Sequence, residues 1–243
     1  MKETHTQSYA VDLLAGGVLI LYTQTPESIS KVAQATDALL RWLGTPRGFT
    51  VYLWWRDDPR ILGHAEWPSR DSVNGGWATP GSPNVHIYRQ EEWERVLIHE
   101  TIHAMKWDWV MPTTPMPCWG MNEDDHISPY LAEAWTELYA EWLWCGWFNQ
   151  SWEKQRAWQD KQAIQILARA PKIWKEETNV FAYYILKAAL APHIEFLWMF
   201  GNGKHPEERR HVLCTMVKPH MEQLRHEAKV TAPTSISMRM THI

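Results

Sequence analysis

In the stretch "ERVLIHETIHAMKW", Glu94 to Trp107, two histidines stand four residues apart and a glutamate directly follows the first. On an α-helix His99 and His103 project from one face a turn apart, the spacing at which two imidazoles reach one tetrahedral cation. Glu100 points beside that stripe, between Val96 and Ala104, where an uncompensated carboxylate at the edge of an apolar face is costly. The same stripe holds Glu92, Arg95 and Lys106, so the competing reading is a solvated polar face with two incidental histidines.

A catalytic metal usually takes three protein ligands plus water, and the next helix offers a third. In "SPYLAEAWTELYAEWLWCGW", Glu133, Glu137 and Glu141 recur every four residues among Leu, Trp, Tyr and Ala. Alone they read as a solvated acidic face; beside the histidine pair they read as a source of a carboxylate ligand. Glu133 is the first choice, with Glu137, His126 and Asp108 as the alternatives and Asp125 beside His126 also open. Tyr183 and Tyr184, in "ETNVFAYYILKA", are candidate donors to an oxyanion, or else core residues of an apolar helix. In "NVHIYR" Val85 and Ile87 alternate with His86 and Tyr88, the pattern of a strand directly before the histidine helix.

These pieces resemble the zincin metallopeptidases, in particular the gluzincin branch, where the HExxH helix is followed by a helix with a glutamate ligand. The resemblance implies a Zn²⁺ held by His99, His103 and Glu133, with Glu100 as general base and Glu137 orienting a histidine ring. It also implies a metal-activated water attacking the amide of a peptide or protein substrate, which adds to the edge of the sheet at "NVHIYR". Ala132 stands where asparagine commonly precedes the ligand, and Glu137 where aspartate is usual. Lys106 and Trp109 stand where the metzincin branch requires glycine and a third histidine. "IYRQEEWERVLIHETIHAM", "EAWTELYAEW" and "ETNVFAYYILKA" are further similar to a family of uncharacterised HExxH proteins of large DNA viruses. That likeness implies a viral or virus-derived metallopeptidase in the host cytoplasm or the virion.

The elements that must position these residues divide the 243-residue chain in two. "GGVLILYTQ", "TPESISKVAQATDALLRWLG" and "FTVYLWW" read as strand, helix and strand, a β-α-β opening. "DSVNGGWATPGSP" reads as turns. The prolines after Trp109 make 111–127 an ordered loop or lid. Helices are expected at 128–148, 151–170, 179–200 and 206–229. The fold class expected is α+β and zincin-like: an N-terminal α/β subdomain over 1–110 ending in the HExxH helix, a helical subdomain over 128–229 and a flexible tail over 230–243.

Apolar residues at 45% and charged residues at 21% fit a globular chain, and the 17 tryptophans are expected mainly as core and crevice filler. A net charge of −4 and a pI near 6.3 offer no general attraction to nucleic acid. Cys118, Cys145 and Cys214 form no C-x-x-C and are expected as reduced thiols of a cytoplasmic protein. No signal peptide is expected, nor any run near the ~18 apolar residues of a membrane helix. Nothing in the pattern sets an oligomeric state. The reading from another class is a catalytically silent, metal-stabilised interaction module. Within enzymes, a peptidoglycan or isopeptide amide would serve the same chemistry.

Overall fold

The computed structural model describes residues 6–64, 66–108, 125–126, 131–170, 172–195, 197 and 206–242; of 206–211 it describes the backbone alone. The expected 111–127 loop lies outside these, apart from Asp125 and His126. The chain is mixed α/β, consistent with the α+β expectation, and forms two compact units: 1–59 with 75–107, and 60–74 with 108–243.

The first unit is a five-stranded sheet in the order β1-β2-β3-β6-β5. Its strands are β1 (Gln7–Asp12), β2 (Val18–Thr23), β3 (Thr50–Trp54), β5 (Gly76–Ala78) and β6 (Asn84–Ile87). β2, β3 and β6 run parallel, while β1 and β5 are antiparallel to their neighbours. Parallel pairing of β2 and β3 needs a crossover, supplied by α1 (Ile29–Leu43), which Gly44 ends in the left-handed region at φ 68°.

Strand alternation divides the sheet's side chains. Leu19, Leu21, Val51, Leu53, Val85 and Ile87 are fully buried, each contributing about 1.5–3 kcal/mol against exposure. Their neighbours stack instead: Tyr22 on Trp54 at 4.8 Å, Tyr52 on His86 at 4.6 Å, and His86 on Trp77 at 4.0 Å. Here the tryptophans form a ring ladder with Trp77 exposed, besides filling core as Trp93 does. α1 and the histidine helix α3 (Trp93–Ala104) pack against the sheet and each other. β1 and β5 go beyond the sequence reading. "NGGWAT" reads as turn because its two glycines dominate a three-residue strand.

The edge position expected for "NVHIYR" is corrected. β6 lies between β3 and β5, so its backbone is paired on both sides and β5 is the edge.

The second unit is mainly helical: α4 (Leu131–Trp147), α5 (Trp152–Leu167), a π-helical stretch Phe181–Leu186 running into α6 (Lys187–Leu190), and α7 (Pro206–Val230). The short α2 (Arg70–Val73) belongs to this unit too. α5 buries glutamines: Gln155, Gln159, Gln162 and Gln165 accompany Ala163 and Ile166 inside. Buried amides need hydrogen bonds: Gln159 donates to Glu141, and Gln155, Gln162 and Gln165 bind the main chain of the C-terminal segment. Gln162 donates to the carbonyls of Ser237 and Arg239 at 3.0 and 2.6 Å, and Gln155 donates to Met240 O at 2.6 Å and accepts from His242 N at 2.8 Å.

The flexible tail expected over 230–243 is therefore corrected. β7 (Ile236–Ser237) pairs antiparallel with β4 (Ile61–Leu62), and Met238 and Met240 are buried. Of the three expected thiols, Cys145 is free and buried, whereas Cys214 is disulfide-bonded. No helix among the described residues is long and apolar enough to cross a membrane.

Candidate metal centre

In the first unit, α3 follows Glu92, which takes a left-handed φ of 56°, and its first turn closes with Val96 N donating to Glu92 O at 3.0 Å. The helix is buried around its circumference: Arg95, His99, Glu100 and His103 are inside along with Val96, Leu97, Ile98 and Ile102. A solvated polar stripe is not what this helix presents.

The i, i+4 spacing brings the two imidazoles together, with Nε2 of His99 and Nε2 of His103 3.1 Å apart and the rings crossed at 73°. Two nitrogens at 2.0–2.1 Å from a tetrahedral Zn²⁺ are separated by about 3.3 Å, so the pair needs only a few tenths of an ångström to hold one. Without a cation, one Nε2 must carry the proton and the other accept it. The donor set fits a transition metal of imidazole preference.

Glu100 is 5% exposed. β5 approaches it closely because Gly76 has no side chain: a Cβ there would stand 3.2 Å from Glu100 Cγ, 2.8 Å from Val96 Cγ1 and 2.5 Å from His86 O. Burial, then the charge of Glu100, raises the pKa of Tyr88, which places the phenol within the field of that carboxylate. Gly76 carries no motif and is revealed only by the adjacency of β5 to α3, a tertiary fact, while Tyr88, read from sequence only as part of the alternation in "NVHIYR", stands near Glu100.

In the second unit, Tyr183 donates its hydroxyl to Oε2 of Glu133 at 3.0 Å. Tyr183 lies in the π-helical stretch, whose wider turn re-aims side chains and recurs at functional sites. One turn along α4, Glu137 is 2% exposed, and a turn further Glu141 is fully buried. The row of glutamates is not a solvated face.

Glu141 is bound by Lys187, Gln155 and Gln159, the Gln155 amide at 2.6 Å. It serves the helical core, and desolvation raises its carboxyl to about 7 against the opposing pull of Lys187. Tyr184 is corrected as a catalytic candidate: it is fully buried and donates to Met238 O at 2.9 Å, anchoring the C-terminal segment.

Among the rival ligands, Asp125 Oδ1 accepts from Trp174 N at 2.7 Å, and His126 is exposed on a bridge to Lys175. Asp108 is buried. Comparison of the chain with protein-family models, curated proteins and solved structures returns no match.

Proposed function

We propose that the chain is a zinc-dependent hydrolase of peptide bonds, zincin-like in plan, with His99, His103 and Glu133 as metal ligands and Glu100 as general base. The observation that carries this reading is the convergence of the two Nε2 atoms at 3.1 Å on a helix that also buries Glu100. A bound Zn²⁺ supplies Lewis acidity, which acidifies water and polarises a carbonyl.

Glu100 accepts the proton of the attacking water and delivers it to the leaving nitrogen, a contribution of ~10²–10⁴-fold. Tyr183 commits its proton to Glu133, so its role is to orient the ligand carboxylate, which revises the oxyanion role expected of it. Glu137, buried one turn from Glu133, is the second acceptor on that helix. The substrate is an extended peptide added to β5, the sheet edge that runs beside Glu100.

The test is zinc per chain by elemental analysis in the parent, His103→Ala and Glu133→Ala. The expected result is near one zinc in the parent, lost in both variants. Zinc retained by Glu133→Ala would remove that ligand, and no zinc after reconstitution would remove the metal.

A further inference from the structure

We propose that the helical unit has a separate binding site for a small phosphate ester carrying a ring, of nucleoside monophosphate class, in the cavity between α5 and the C-terminal segment. The cavity measures about 560 Å³. That falls within the ~300–1,000 Å³ of small-molecule sites and is too roomy for an inorganic ion alone.

Its charge follows from two periodicities. Lys154, Trp158 and Lys161 stand at i, i+4 and i+7 on one face of α5 and line it. Along the opposite wall, Ile236, Met238 and Met240 are buried, while Ser237, Arg239 and the buried Thr241 that alternate with them line the cavity, with His242 at its end. Among the described lining residues, Lys154 and Lys161 are exposed cations, Arg239 adds a third charge within its own contacts, Ser237 and Thr241 are hydroxyls and none is a carboxylate, on a chain of net charge −4. Asp160, next to Lys161 in sequence, instead meets His220 at 2.9 Å.

The wall is also rigid. Trp158 Nε1 donates to Arg239 O at 3.0 Å, and Gln162 and Gln155 hold the main chain on either side of it. Preorganised donors lose less on binding. Lys161 sits 5.6 Å from the Trp158 ring centroid, and His242 meets that indole edge-on at 6.2 Å, so cations and ring surface occur together. The two exposed lysines, Lys154 and Lys161, match a phosphate dianion, and the rings match a flat group esterified to it.

The experiment is calorimetric titration of the full chain with AMP, ribose 5-phosphate, inorganic phosphate and adenosine, in the parent and in Lys154→Glu/Lys161→Glu. Both lysines are exposed, so the double variant keeps the fold, which circular dichroism checks. AMP is expected to saturate, to weaken at least about tenfold in the double variant and to weaken with added salt, with adenosine silent. No saturation by either ester up to about 1 mM, or AMP binding unchanged in the variant, would overturn the site. Inorganic phosphate binding as tightly as AMP would overturn the choice of an ester.

Discussion

The phenol of Tyr183 lies 3.0 Å from Oε2 of Glu133, joining a π-helical residue to the first turn of α4. A hydroxyl that donates to a carboxylate fixes which oxygen remains to face a metal. Tyr183→Phe is expected to weaken zinc binding ~10–100-fold, as loss of an outer partner does. Competition with a fluorescent chelator reads this directly. Unchanged affinity with a reduced kcat at saturating zinc would return Tyr183 to the role of oxyanion donor.

Glu100→Gln removes the base and keeps the volume. Zinc content is expected to stay at the parent level while cleavage of a quenched peptide library falls by at least ~10²-fold. Parent and variant sharing the same rate would reassign the chemistry, and a parent inactive on every peptide while binding zinc would favour a metal-stabilised interaction module.

Gly76→Ala tests the approach of β5 to the histidine helix. The added Cβ meets backbone at 2.5 Å, which cannot yield as a flexible side chain would, so destabilisation of ~1–3 kcal/mol is expected, with displacement of Glu100. Thermal unfolding together with peptide turnover measures both. A neutral substitution would show that the strand is free to move.

Glu141 sets a pH dependence of stability. Its folded pKa is raised, chiefly by desolvation, to about 7 from 4.5. The folded state therefore holds this proton more tightly than the unfolded chain, and the associated stability is full below 4.5 and lost as pH rises towards 7. Urea midpoints of the parent are expected to fall across that window, and those of Glu141→Gln to fall less. Equal slopes would show that Lys187 keeps the carboxylate ionised throughout. Lys187→Met, which leaves the acid buried without its cation, is expected to cost about 3–5 kcal/mol.

The β2-α1-β3 opening and α3 were legible because each rests on local periodicity and caps: Pro26 before α1, Gly44 after it, alternation in β3. The pairing of His99 with His103 follows from helix geometry alone. β5 was illegible because three residues in a glycine-rich turn sequence carry no period. The C-terminal segment was missed for another reason. Gln155, Gln159, Gln162 and Gln165 carry no apolar period, and only their partners, Glu141 for Gln159 and C-terminal main chain for the others, show that amides form the interior there. Tyr184 and Tyr183 are neighbours of one residue type; a π-helical turn, invisible in composition, gives one to the core and the other to Glu133.

The pairing of β4 with β7 joins residues 61–62 to 236–237. During synthesis the segment containing β4 leaves the ribosome early and has no strand partner until β7 has followed. Helices α4 and α5 form from local contacts, but closing this loop carries an entropic cost that no local contact offsets. Docking of the segment that carries β7 is therefore expected late in the folding of the helical unit, and it is this step that gives Gln155, Gln162 and Gln165 of α5 their main-chain partners.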